Sequence, residues 1–283
     1  MCQLSHSLST RFFSVLLLSA LIVATPVHGQ NLSSNQPISS YSDIADMTIS
    51  APVILQATIK RTRLLKDEQA IGTPPGMARL LVNATVNRLI IGRSGVPGEI
   101  SYLVDVPLDS RGRPPKLKKS QFLLFLKPAA GRSDQFSLVS KHAQMPWSEA
   151  GAATTVSIAK EAQGSLGSLQ ITGIGNAFHV PGSIPGEAET QIFLTTADQR
   201  PVSLSVLRRP DEAKRWFVSL GEIVADSDAP AGKDTLLWYK LTCFLPAALP
   251  GEVLDRLDGS QRDAVIADYR FVLESLGACG RSG

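Results

Sequence analysis

The chain has 283 residues, 43% of them hydrophobic, and carries 28 Lys and Arg against 25 Asp and Glu for a formal net charge of +3. That apolar fraction supplies a real core for one large domain or two small ones. The near-zero balance gives the chain as a whole no pull toward a polyanion, and nucleic acid is not an expected partner.

Residues 1–29 have the layout of a signal peptide. Arg11 closes a short n-region, Phe12–Val23 is apolar, and Val27-His28-Gly29 places small residues at the −3 and −1 positions of a cleavage site after Gly29. Ala24 is a second candidate. A membrane anchor is the competing reading, but Phe12 to Val27 is 16 residues and contains Pro26, whereas a helical span needs about 20. No later run approaches that length, so the mature chain is expected to be exported, periplasmic or extracellular, without a transmembrane span. Cleavage removes one arginine and no acid.

Residues 30–42 read as a flexible polar lead-in. Ser42 to Asp46 suggests a short helical turn capped by Ser42. Ala51–Leu65 then alternates, with Val53, Leu55, Ala57 and Ile59 on one face. After a polar loop ending in Thr-Pro-Pro-Gly, Met77–Ile91 is a second strand paired with the first. Glu99–Val106, Gln121–Lys127 and Gln135–Ser140 make three more. Five short strands in so short a span suit a small closed barrel, with a sandwich sheet as the alternative. Met145–Thr154 reads as a connection, and Ser157–Gly164 is ambiguous between helix and strand.

Gln170–Val224 is a run of short strands separated by Gly, Pro and charged turns, an antiparallel meander. Val202, Leu204 and Val206 share one face, and Trp216, Val218 and Leu220 repeat the device. Past a turn at Asp226–Lys233 the period becomes helical. Asp234 is the expected cap of a helix over Thr235–Leu245 with Leu237, Leu241 and Phe244 on its stripe, ended by Pro246. Ser260 is the expected cap of a second helix whose apolar face is Val265, Tyr269, Val272, Leu273 and Leu276, stopped at Gly277. Cys2 leaves with the leader. Cys243 and Cys279 remain, and an even count in an exported chain favours one disulfide between the two helices over two buried thiols.

The expectation is therefore an α+β protein. Residues 43–146 form an N-terminal all-β, barrel-like (OB-like) domain. Residues 147–283 form an antiparallel β-meander packed with a C-terminal helical pair.

Three strings, Tyr102–Lys119 (YLVDVPLDSRGRPPKLKK), Gly186–Leu194 (GEAETQIFL) and Pro201–Pro210 (PVSLSVLRRP), resemble an uncharacterised family of exported bacterial proteins. The resemblance covers most of the mature chain and implies a bacterial envelope setting. That family brings no established activity or catalytic residues. In strand order and its LLFL string, the first half also resembles the barrel modules of exported netrin-like or OB-like proteins.

Two groups carry the chemistry. Arg111, Arg113, Lys116, Lys118 and Lys119 place five cations within nine residues of a proline-rich loop, suited to phosphates of nucleic acid, lipopolysaccharide or anionic lipid. No aromatic residue is interleaved with them for stacking on single strands. The bland reading is a solvated loop balanced by Asp105 and Asp109. His179 with Glu187 and Glu189 is the candidate catalytic cluster, as a histidine beside a carboxylate serves as a general base. Its bland reading is a structural strand histidine. His142, the other mature histidine, is 37 residues away with no HExxH, so no metal site is expected. Gly-x-Ser-x-Gly and Walker-type loops are absent, Gly173-Ile174-Gly175 reads as a turn or bulge, and no cofactor is expected. Trp147, Trp216 and Trp238 read as core or interface aromatics. The reading is a non-enzymatic envelope module that binds a partner protein or an anionic component, with a His179/Glu187/Glu189 hydrolase as the alternative.

Overall fold

Strict alternation in the first strands decides which side chains meet inside. The computed structural model describes residues 39–92, 95–221 and 230–282. The expected leader, most of the lead-in, the end of the meander at Val224 and residues 226–229 of the expected turn lie outside them. Strands β1 (Val53–Leu64), β2 (Met77–Ile91), β3 (Glu99–Pro107), β4 (Gln121–Pro128), β5 (Gln135–Leu138) and β6 (Gln144–Pro146) close a barrel in the order β1-β2-β3-β5-β4-β1, with β6 following β5 along β4. Val53, Leu55, Ala57 and Ile59 fill the interior with Leu80, Val82, Ile100 and Leu124. Each Val, Leu or Ile among them contributes roughly 1.5–3 kcal/mol by leaving water. Tyr102, almost fully buried, reaches across to donate its hydroxyl to Gln144 Oε1 at 2.7 Å.

The alternate residues of the same strands face outward. Ile54, Leu123 and Phe125 join a second core with Ile158, Leu204, Trp216, Trp238 and Tyr269. One contiguous cluster thus runs from the outside of the barrel into the second half. There, β7 (Ile171–Pro181), β8 (Ala188–Thr196), β9 (Val202–Arg208) and β10 (Arg215–Ser219) form an antiparallel sheet ordered β10-β9-β8-β7. Bulges at Ile171/Gly173 and Ile174/Asn176 bend β7 at its glycines. Val202, Leu204, Val206, Trp216 and Val218 are buried, while Leu220 is exposed.

The helices depart most from expectation. Helix α1 (Tyr41–Ser50) is longer than a turn, and Ser40 rather than Ser42 caps it in a reciprocal box with Asp43. Ser42 is instead buried against the far end of the chain, donating to the Cys279 carbonyl at 2.5 Å. Helix α2 (Glu149–Ala162), capped by Ser148, occupies what reads as a connection and an ambiguous segment. It shows no large apolar stripe because Gly151, Ala152, Thr155 and Ile158 are its buried face. Small residues let it lie close to the barrel, with the Thr155 hydroxyl donating to the Gly151 carbonyl at 2.8 Å.

A short turn α3 (Ser165–Ser168) precedes the sheet. Helix α4 (Leu236–Phe244) is capped by Thr235, not Asp234, and buries Leu236, Trp238, Tyr239 and Leu241. The stripe is rotated from the expected one, and Phe244 lies at the surface under the Arg281 guanidinium, 4.9 Å from the ring centre. After α5 (Gly251–Leu254), helix α6 (Gly259–Leu276) is capped by Asp258 rather than Ser260. Gly277 ends it at φ 73°, a left-handed conformation that favours glycine. Cys243 and Cys279 form the disulfide joining α4 to the segment after α6. The fold is α+β, a closed five-stranded barrel followed by a four-stranded antiparallel sheet with C-terminal helices.

Candidate functional site

The loop between β3 and β4 is held by a single carboxylate. Asp109 accepts from the backbone N–H groups of Arg111 and Arg113 at 2.9 Å each, and from the Arg113 guanidinium at 3.1 and 3.2 Å. The backbone bond from Arg113, first among these contacts, holds its pKa below the ordinary value. Gly112 supplies the left-handed turn at φ 70°. At the other end, the Lys119 N–H donates to the Ile59 carbonyl at 2.8 Å, which ties the loop to β1.

Asp105, expected to balance this loop, does not. Its carboxylate takes a bidentate pair of 2.8 Å bonds from Arg79 on β2. Lys116, Lys118 and Lys119 are therefore exposed with no carboxylate partner among the described residues. Next to them on the exposed end of β1, Lys60 pairs with Glu99, but Arg61 donates to the Asn83 amide at 3.0 Å and Arg63 to the Gln69 amide at 3.1 Å. A neutral amide orders a guanidinium without cancelling its charge, so this end of the barrel stays cationic. The sequence carries the same imbalance. Residues 39–146 hold fifteen Lys and Arg against eight Asp and Glu, while residues 147–283 hold twelve against seventeen. The near-neutral total conceals it.

His179 sits elsewhere and has different partners from those expected. Its Nδ1 lies 2.8 Å from Thr190 Oγ1 on the neighbouring strand, and that hydroxyl donates to Asp268 Oδ2 on α6 at 2.6 Å. Thr190 has one proton and gives it to the carboxylate, so its oxygen accepts from His179 Nδ1–H. The ring is thereby fixed with Nε2 as its free acceptor. Asp268 Oδ1 takes bonds from Arg208 at 2.6 Å and Lys214 at 3.0 Å. Burial alone raises the Asp268 carboxyl, but the bonds from Thr190, Arg208 and Lys214 outweigh it and hold the group below the ordinary value of 3.8. Burial, then the Arg208 charge, push His179 below its ordinary value of 6.5 against the opposing pull of Asp268.

Glu187 and Glu189 do not join this network. Glu189 pairs in register with Val180, one step from His179 and Thr190, so its side chain lies on the opposite face of the sheet, where it accepts from Gln191 at 2.8 Å. Glu187 lies in the β7–β8 turn, its backbone closing on Gly182 and Ile184. Both line an outer groove with Val180 and Phe217 that His179 does not reach. Thr190 is fully buried with its proton committed, so it offers no nucleophile. Sequence reading missed Thr190 and Asp268, and read Arg208 and Lys214 only as charges flanking the turn before Trp216. The odd acid on the apolar face of α6, three residues past Val265 and one before Tyr269, was the available signal.

A groove of about 660 Å3 lies on the barrel between β3 and β5, with Met77, Arg79, Leu103, Asp105, Leu138 and Lys141 among its lining. Elsewhere, the tail after α6 straps α1. Arg281 holds Asp46 at 2.6 and 2.9 Å, Ser282 holds Asp43, and Tyr239 donates to Asp46, its hydroxyl pushed up to about 12 chiefly by burial. Among the described residues no helix is long and apolar enough to cross a membrane, and no group of three His, Cys, Asp or Glu is arranged to hold a metal. No protein-family model matches the chain, and no curated protein matches it.

Proposed function

We propose that this is an exported, non-enzymatic module of a bacterial envelope that docks through the cationic end of its barrel on a phosphate-bearing component. The observation that carries the reading is the exposed, unneutralised set Lys116, Lys118 and Lys119 on a loop tied at both ends, beside the amide-bonded Arg61 and Arg63. Such charges are not consumed by the fold. Each lysine near an anionic surface contributes about 1 kcal/mol of attraction. Two features support export. The first 29 residues have the layout of a leader, and a disulfide such as Cys243–Cys279 persists in oxidising compartments. The resemblance to exported bacterial proteins points the same way.

The test is sedimentation with phosphatidylglycerol vesicles, phosphatidylcholine vesicles and lipopolysaccharide micelles at rising salt. The proposal expects binding to one or both anionic partners, none to phosphatidylcholine, and release as the screening length shrinks from about 10 Å at 0.1 M to about 3 Å at 1 M. The two anionic arms distinguish the source of the phosphate. Equal binding to neutral and anionic vesicles, or binding indifferent to salt, overturns it.

A further inference from the structure

The β3–β5 seam is short for a closed barrel. The parallel register covers only Ser101↔Gln135 and Tyr102↔Phe136. Beyond it β3 continues to Pro107, while the chain after Leu138 bulges away through Ser140 and Lys141 before rejoining β4 at Gln144. The parity of the ladder identifies the backbone groups left over. Val86 N–H donates to the Gly98 carbonyl and Leu108 N–H to the Gly76 carbonyl, so in the β2–β3 register the even-numbered residues of β3 bond to β2. Odd-numbered residues turn their N–H and C=O groups toward β5, as the Ser101 N–H shows by donating to the Asp134 carbonyl at 2.8 Å. The Leu103 carbonyl and both backbone groups of Asp105 therefore face the groove with no partner strand among the described residues. Side chains around that edge are apolar, with Leu103 47% exposed and Leu81 and Leu138 beside it. Asp105 is already satisfied by Arg79, whereas Lys141 on the opposite wall is exposed and has no carboxylate partner among the described residues.

We propose that this groove receives an extended polypeptide segment, which adds beside β3 as a short strand. The occupant is a peptide because alternating donor and acceptor groups along one strand edge are matched by another backbone. It carries an apolar residue over Leu103 and Leu138 and a carboxylate opposite Lys141. Backbone pairing supplies attachment, and the two side-chain positions supply selection. This site is separate from the cationic loop and stands whether or not anionic surfaces bind.

The probe is the blocked tetrapeptide acetyl-Val-Leu-Val-Glu-amide, titrated into the whole mature protein while amide exchange and chemical shifts are read residue by residue. In the free protein the Asp105 amide exchanges much faster than the neighbouring Val104 and Val106 amides, and saturating peptide slows it at least tenfold. Lys141→Glu weakens this peptide several-fold and favours its Glu→Lys counterpart, and Leu103→Lys weakens both. A peptide N-methylated along its backbone does not protect Asp105. An Asp105 amide already protected in the free protein overturns the proposal. So does failure of the tetrapeptide to perturb β3, or binding of the N-methylated peptide as tight as that of its parent.

Discussion

The two halves handle charge in opposite ways. In the barrel half, an excess of cations is left at the surface, and two of them, Arg61 and Arg63, lean on the neutral amides of Asn83 and Gln69. In the second half, an excess of acids accompanies one fully buried carboxylate, Asp268, which is enclosed by Thr190, Arg208 and Lys214. Burying a charge is tolerated only when it is paired and hydrogen-bonded, so the Asp268 network serves the fold. Charges that stay solvated and unpaired serve nothing inside the molecule. The difference separates charges consumed by the fold from charges left available to a partner.

The staples of the second half carry the largest expected effects. Replacing Cys243 and Cys279 by serine removes a closure across 36 residues, and we expect a loss on the order of 3–4 kcal/mol, measured by urea unfolding. Asp268→Asn is expected to cost on the order of 3 kcal/mol. Breaking a buried pair costs about 3–5 kcal/mol, and Arg208 and Lys214, 30% and 34% exposed, recover some hydration. A loss under about 0.5 kcal/mol, within the range of ordinary surface changes, contradicts the structural role assigned to the network.

Acid provides a gentler probe of the same cluster. The folded His179 pKa lies below 6.5, so as pH falls through that value the unfolded chain takes up the proton first and stability declines. Folded Asp268 lies below 3.8, so its contribution is present above that value and is lost as pH falls through the lower, native pKa. Thermal melts from neutral to acid pH should therefore drop in both ranges. Asp268→Asn should flatten the more acidic drop, and an unchanged profile contradicts the assignment. The smallest effect belongs to the barrel. Replacing Lys116, Lys118 and Lys119 together should move stability by no more than about 0.5 kcal/mol.

Much of the architecture was legible because strand periodicity is local. The alternation of Val53, Leu55, Ala57 and Ile59 identified the barrel interior, and Met77–Ile91 matches β2 residue for residue. Helix α2 was not, because its buried face is made of Gly151, Ala152 and Thr155, which carry little hydrophobic signal. Caps slipped by one or two residues where several polar side chains compete, as Ser260 did with Asp258. The basic loop could be read directly, since its five cations fall within nine residues. That its lysines have no carboxylate partner among the described residues could not, because only the register of β2 against β3 sends Asp105 to Arg79. Thr190 and Asp268 are 78 residues apart, and no local pattern joins them.

The most direct measurement compares phosphatidylglycerol-vesicle affinity of the mature protein with that of the Lys116→Ala/Lys118→Ala/Lys119→Ala variant, each with its melting curve. At about 1 kcal/mol per lysine, affinity should fall on the order of 100-fold, with an unchanged melt and a shallower salt dependence. Undiminished, equally salt-sensitive binding by the variant contradicts the account.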